Sequence, residues 1–415
     1  MSAISLHEAR RRTAYTPEDE VGQRPFAPLL DEEVAPKIKA SPFVWTDPAR
    51  FPRREWLFGT HLIRKFVSAT MAPGGLGKTS LLLIEAVAMA TGRNLTGSAP
   101  RKGPLRVWVV NLEDPREEIE RRVLAILLHY QIDPEDLGDR LFLDSGREVS
   151  IVLATANRNG VEVATPTVEA LKAEIKAREI DVLIVDPFVK SHGVQENDNS
   201  AIDKVVTAFA GIADATACAI ELVHHVRKTG SNEITVEDGR GAVAMLAGVR
   251  SARVLNPMTK EEAQEIGGDI VPREHFRVTN GKANLAPPPE ASQWFRLHSV
   301  DLGNGDPRDL ADTGDRVAVV APWEYPGAFS DVTTADLKAV QTTIAAKRWR
   351  ANPQSPEWAG HAIADVLRLD VSDIQAQTKV KKLLGVWTKN GMFREVEGLD
   401  ENRKKKRFVE VGTWA

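Results

Sequence analysis

Five short, nearly uninterrupted apolar runs punctuate the first half of the chain, at 66–72, 106–113, 141–144, 181–188 and 218–225. Between them lie stretches with helical spacing, at 78–90, 114–130, 167–178 and 200–216. A strand apolar on both sides has to be covered on both faces, and a helix returning between successive strands makes them parallel. The pattern therefore specifies an α/β fold: a mostly parallel sheet with helices on both faces. Two more strand-like runs follow, around 274–279 and 294–301.

The organisation outside this region is read from punctuation. Prolines at 17, 25, 28, 36, 42, 48 and 52 disfavour long helices, so residues 1–55 are expected to form an irregular arm. Residues 56–301 form the α/β domain. Residues 302–330, rich in Gly, Pro and Asp, read as a linker. In 331–415, three helical stretches (334–348, 356–369 and 374–390) precede two short strands joined by a charged turn. Ser355 and Pro356 suit the cap and first turn of the second helix.

The first apolar run ends in Ala72-Pro73-Gly74-Gly75-Leu76-Gly77-Lys78-Thr79-Ser80, which then opens a helix. Apart from Ala72 at its first position, this is G-x-x-x-x-G-K-[ST] in the strand–loop–helix setting that the pattern requires. Gly74, Gly75 and Gly77 let backbone N–H groups turn onto phosphate oxygens, and the helix N-terminus adds partial positive charge. Lys78 is placed to reach the β- and γ-phosphates. Thr79 offers a hydroxyl to Mg²⁺, and Ser80 completes the loop. Alanine at 72 is compatible if its φ stays negative.

Other strand ends supply the remaining chemistry. Asp186 closes the run DVLIVD and suits the water shell of Mg²⁺. Glu113 closes the run at 106–113 and can polarise an attacking water as general base; the adjacent Asp114 is the alternative. His224 and His225 end the fifth run. Because strand residues alternate faces, only one can look at the nucleotide, and His225 is the candidate. Together these residues point to ATP and Mg²⁺ as ligands.

Composition sets limits. Lys and Arg number 54 against 58 Asp and Glu, a net charge of −4, so any nucleic-acid surface has to be local. The single cysteine, Cys218, excludes an internal disulfide and a cysteine-based metal site. The most apolar stretch, 81–90, is far short of the ~20 residues of a membrane span, and the charged N-terminus lacks the apolar core of a signal peptide. A cytoplasmic protein without a membrane role is expected.

The strings APGGLGKTS, VVNLEDP, LIVDPF, ELVHHVRKTG, EDGRGAVAMLAGVRSARVL and GKANLAPP, in this order, resemble the RecA-like P-loop ATPases of the plasmid RepA-type hexameric helicase family (AAA-type ATPases) over residues 56–300. The resemblance implies a homo-oligomer, a hexameric ring, with ATP between subunits and a basic residue reaching the phosphate from the neighbour. Arg240, Arg250, Arg253 and Lys282 are the candidates. Asn284 stands where a second basic residue is expected. The loop at 226–239, with Arg227 and Lys228, would line a channel for single-stranded DNA.

The last 85 residues have the element order of a winged helix. Residues 374–409 carry ten basic and four acidic side chains, a local net of +6 against −4 for the chain. Lys381 and Lys389 on the third helix, with Arg403, Lys404, Lys405, Lys406 and Arg407 in the turn, are the expected DNA contacts. Trp387 and Phe393 are expected in its small core. The resulting expectation is an ATP-hydrolysing oligomeric DNA motor, most simply a replicative helicase of a plasmid, phage or mobile element. The alternative is an ATP-regulated DNA-binding protein that does not unwind.

Overall fold

The structure is a computed structural model. It describes residues 39–415 apart from 159, 227–232, 239–241, 267–269, 288–290, 307, 310–311 and 327–331. Arg227, Lys228 and Arg240 lie outside the described residues. The chain divides into two units, Met1–Arg53 and Arg54–Ala415. Of the first, the described part has one short 3-10 turn, Pro48–Arg50, capped by the Asp47 carboxylate, which accepts from the Ala49 N–H at 3.0 Å.

The second unit opens with a hairpin, β1 (Trp56–Phe58) and β2 (Leu62–Ile63). There follow β3 (Val67–Ala72), α1 (Lys78–Thr91), β4 (Val107–Asn111), α2 (Arg116–Tyr130) and β5 (Leu141–Ser145). A second hairpin, β6 (Ala154–Asn157) and β7 (Gly160–Val163), leads to α3 (Thr165–Ala177), β8 (Val182–Asp186), α4 (Asn199–Thr216) and β9 (Ala219–His225). Next come α5 (Ala242–Gly248), β10 (Ser251–Pro257), α6 (Lys260–Ile266), β11 (His275–Ala283), β12 (Gln293–Asp301) and β13 (Arg316–Pro322). The chain closes with α7 (Thr334–Ala346), β14 (Trp349–Arg350), α8 (Ala359–Leu367), α9 (Ile374–Lys389), β15 (Phe393–Leu399) and β16 (Lys405–Val411).

The main sheet has nine strands in the order β13-β12-β11-β10-β3-β9-β8-β4-β5. The six from β10 to β5 are parallel, with β3 flanked by β9 and β10, the order of a RecA-like P-loop core. The α/β expectation holds, and the sheet is larger than its sequence signal. β11, β12 and β13 extend it as an antiparallel flank.

One core lies between the sheet and α1–α2, built on Leu81, Ile84, Val109, Ile184 and Phe276. A second lies on the other face against α3 and α4, built on Met71, Val110, Val185, Ile202 and Phe209. Cys218 is fully buried beside the second core, and burial pushes its thiol up to about 12, so it packs and does not react at neutral pH. Among the described residues no helix is long and apolar enough to cross a membrane.

Two sequence expectations are corrected here. The stretch 302–330 is not only a linker, because β13 within it pairs with β12 from Arg316↔Asp301 to Pro322↔Phe295. Its apolar run, RVAVVAP, was hidden by Gly and Asp on its N-terminal side. Helix α8 starts at Ala359, with Trp358 at the cap position. Ser355 instead holds a turn, accepting from the Glu357 N–H at 3.2 Å. The indole of Trp358 is 1% exposed and lies directly over Gly360, which pins the chain three residues later than the Ser-Pro signal suggested.

The C-terminal elements form their own layer. The sheet order is β14-β16-β15, and its core joins Ile344, Trp349, Trp358, Ile363, Leu383, Trp387 and Phe393. Along α9, Val380, Leu383 and Trp387 face inward, while Thr378, Lys381, Lys382 and Lys389 are exposed at helical spacing.

Candidate active site

The loop between β3 and α1 turns as its glycines allow. Gly75 and Gly77 have φ of +79° and +87°, backbone that side chains rarely adopt, and Gly77 caps α1. Gly74 has an ordinary φ and open space around it. Ala72 ends β3 without a positive φ, so alanine is accommodated where glycine is usual.

Lys78 is 5% exposed. Its ammonium donates to the carbonyls of Ala72 at 3.3 Å and Pro73 at 3.1 Å, and to His225 Nδ1 at 3.0 Å. Burial lowers its pKa, against the pull of Asp186 and Glu113. Thr79 Oγ1 donates to Asp186 Oδ2 at 2.6 Å. Asp186, the last residue of β8, is buried, and burial raises its pKa despite the Thr79 bond and the Lys78 charge.

A hydroxyl and a carboxylate meeting at the mouth of a phosphate loop are hard oxygen donors of the kind Mg²⁺ takes. Among the described residues no group of three His, Cys, Asp or Glu could hold a metal ion. The donor set therefore fits a cation that completes its shell with water and phosphate, as Mg²⁺ does, and not a dedicated protein cage.

Glu113 lies two residues beyond the end of β4. The Asn111 side chain accepts from the N–H groups of Glu113 and Asp114, at 2.9 and 2.8 Å, and folds the chain so that Glu113 points into the cleft. Its carboxylate stands 4.0 Å from His225 Nε2. Asp114 is engaged by Arg122 at 2.9 Å, which leaves Glu113 as the freer carboxylate.

His225 thus touches Lys78 through one ring nitrogen and approaches Glu113 through the other. Burial, with the Lys78 charge, lowers its pKa. His224 points to the opposite face, buried, with its ring 6.1 Å from Phe188.

Gly75, Gly77, Lys78, Thr79, Ser80, Glu113 and His225 line one cleft of about 540 Å³. Sequence reasoning missed the other wall, where α2 gives Arg121 and Arg122, β12 gives Leu297, and Asp315 precedes Arg316, Val317 and Ala318 from the start of β13. The N-L-E-D-P string did carry a signal for Asn111, whose side chain competes for local N–H groups. Nothing local announces β13, which comes from 238 residues after Lys78 at Arg316.

The candidate trans residues separate. Arg253 is 7% exposed, bonds both oxygens of Glu85 at 2.7 and 2.6 Å, and donates to Thr70 at 2.8 Å. A guanidinium so committed beneath α1 cannot reach another subunit, and this expectation is corrected. Glu221 continues the network. It accepts from Ser68 and Thr70 and contacts His61 at 3.0 Å; His61 in turn bonds Ser251 at 2.8 Å. Burial opposes the Glu221 charge, but His61, Arg253 and Ser68 outweigh it and lower its pKa to about 2.

Arg250 and Lys282 sit elsewhere. Ser251 pairs with Ser68 and Ala283 with Ser251, so both cations lie at the end of the sheet away from the loop, roughly 13 Å from Ala72 along β3. Lys282 donates to the Leu246 carbonyl. Burial, and then the charge of nearby Arg250, lower its pKa, so two cations stand close together there although Asn284 is not basic.

In the C-terminal layer, Lys405, Lys406 and Arg407 lie on β16, and the tight turn contains Arg403, with φ +58°. Asp400 fixes the turn, accepting from the N–H groups of Asn402 and Lys404 and pairing with Arg350 at 3.2 Å. Lys381 donates to Gln377 at 2.9 Å.

Residues 32–231 match the family model described as AAA domain. Among solved structures, the chain is similar to one described as an ATPase domain, at 11% identity and a TM-score of 0.39, covering 61% of this chain and 85% of that one. The stretch that holds the phosphate loop, Glu113, Asp186 and His225 is thus similar to a P-loop ATPase domain of the AAA kind.

Proposed function

We propose that this chain hydrolyses ATP and couples the hydrolysis to work on DNA, as an oligomeric RecA-like motor of the helicase kind. The observation that carries the reading is the contact series Lys78–His225–Glu113 beside the Thr79–Asp186 pair. Lys78, Thr79 and Ser80, with the loop N–H groups, bind the triphosphate. Mg²⁺, held by Thr79 and through water by Asp186, would neutralise phosphate charge. Glu113 accepts a proton from the attacking water, and His225 registers whether Lys78 has left it for the γ-phosphate.

Arg250 and Lys282 cannot serve the phosphate of their own subunit, so a role in hydrolysis has to be played in a neighbour's site. That geometry supports an oligomer, and we favour a hexameric ring. The order α7-β14-α8-α9-β15-β16 supports a winged-helix reading of the last 85 residues, with α9, the turn at Arg403 and Lys404, and the start of β16 on DNA. Lys381, Lys389, Lys404, Lys405 and Lys406 then contribute to phosphate contacts that weaken with salt.

Lys78→Ala and Glu113→Gln are each expected to abolish turnover by the full chain, and single-stranded DNA is expected to stimulate the wild type. Retained DNA-stimulated hydrolysis in both variants sinks the site assignment. Duplex binding that survives in Lys78→Ala, with no strand separation by the wild type, favours a DNA-binding regulator instead.

A further inference from the structure

The β12–β13 pair does more than widen the sheet. Beyond His275↔Arg296 it has no β11 partner and continues alone past the phosphate-loop end of the sheet. Directly opposed residues share a face: Leu297 with Val320, Ser299 with Ala318, and Asp301 with Arg316. On this face Ala318 and Arg316 are exposed, whereas Val317 and Val319 turn inward. Leu297 starts the face against the loop, 3.3 Å from where a Cβ on Gly77 would lie. Two steps of ~7 Å lead from Leu297 through Ser299 and Ala318 to Arg316. The face is flat where its side chains are small and ends in a guanidinium.

The charges in the cleft single out Arg316. Arg121 is held by Glu118 at 2.7 Å and Asp315 at 2.9 Å, and Arg122 by Asp114 and Glu118. Among the described residues no ion pair engages Arg316, although it lines the same cleft. Its backbone is nevertheless anchored. The adjacent Asp315 is clasped by Arg121 and by the Asn304 amide at 2.9 Å, so the guanidinium is presented from a fixed strand end.

We propose that Leu297, Ser299, Ala318 and Arg316 form a shelf for the nucleoside half of the nucleotide, with Arg316 gripping its base or ribose. This rests on the ATP reading of the phosphate loop. The loop accounts for the triphosphate; the shelf begins where the loop ends and runs away from Lys78 for about the length of a nucleoside. An arginine suits this end because its planar cation both stacks on a base and donates hydrogen bonds. The small residues leave room for a ring.

Calorimetric titration of the full chain with Mg²⁺–ATP and with Mg²⁺–tripolyphosphate, which has no nucleoside, tests the shelf. Arg316→Ala is expected to weaken ATP about ten-fold and leave tripolyphosphate within about two-fold of wild type. Ala318→Leu, which fills the shelf without removing charge, should do the same, and circular dichroism checks that both variants are folded. Equal weakening of both ligands by Arg316→Ala makes it a phosphate contact and overturns the proposal. So does unchanged ATP binding, or wild type holding both ligands equally well. If Lys78→Ala weakens neither ligand, the phosphate-site reading itself fails, a result distinct from the others.

Discussion

At His225 the two ring nitrogens meet different charges, the Lys78 ammonium at 3.0 Å and the Glu113 carboxylate at 4.0 Å. Only the neutral ring can accept the Lys78 proton at Nδ1. Burial and Lys78 lower the pKa of the ring, so the folded chain binds fewer protons there than the unfolded chain does. The contact is therefore intact above the unfolded value of ~6.5 and lost as pH falls through the lower folded value. Turnover should therefore hold through pH ~6.5 and decline only as pH falls through the lower folded value. In His225→Gln the decline should shift to the lower pH at which a carboxylate titrates; an unmoved acid limb would show that His225 has no part in it.

Arg253 teaches the opposite lesson about single residues. Its sequence setting suggested a surface finger, yet it is a buried partner of Glu85 and Thr70. Arg253→Ala leaves the Glu85 carboxylate buried and unpaired, which costs ~3–5 kcal/mol. A large loss in thermal or denaturant stability is expected, with Arg250→Ala close to wild type in the same assay.

At the scale of elements, what was legible followed from burial on both faces. The strands β3, β4, β8 and β9 are buried nearly throughout because helices cover both of their sides, and they, with the half-buried edge strand β5, are legible within a residue or two. β10 escaped because Ser251 and Arg253 turn toward the polar network under α1, which breaks the apolar run. Of the antiparallel flank, β11 and β12 are legible as the runs around 274–279 and 294–301, whereas β13 escaped because Gly- and Asp-rich chain precedes it. The site divides in the same way. Loop residues adjacent in sequence were readable, whereas Arg121, Asp315 and Arg316 meet the loop only through the fold.

A local contact also fixes α8. A Cβ on Gly360 would sit inside the Trp358 indole, so Gly360→Ala should destabilise the C-terminal layer by ~1–3 kcal/mol through overpacking. A lowered melting transition reported by Trp fluorescence checks this. Hydrolysis at the distant phosphate loop should persist below that transition.

For the whole molecule, the proposed reaction turns on which charged groups stand at the two ends of one sheet. The phosphate loop, Glu113 and His225 gather where the parallel strands end, and Arg250 and Lys282 gather where β3 and β10 begin. No side chain spans that separation, so one subunit cannot bring both halves to one phosphate. If a neighbour supplies the cations, two inactive variants should complement. Lys78→Ala lacks the phosphate site but keeps the cation pair, and Lys282→Ala has the reverse defect. Co-assembled by unfolding and refolding together, they create some interfaces with an intact loop facing an intact Lys282. Each variant alone should hydrolyse ATP at a small fraction of the wild-type rate, and the mixture should recover part of the turnover. The gain should vanish on dilution below the assembly concentration, because mass action removes the shared interface. A mixture no more active than the sum of its parts would confine Lys282 to holding the Leu246 carbonyl within its own subunit.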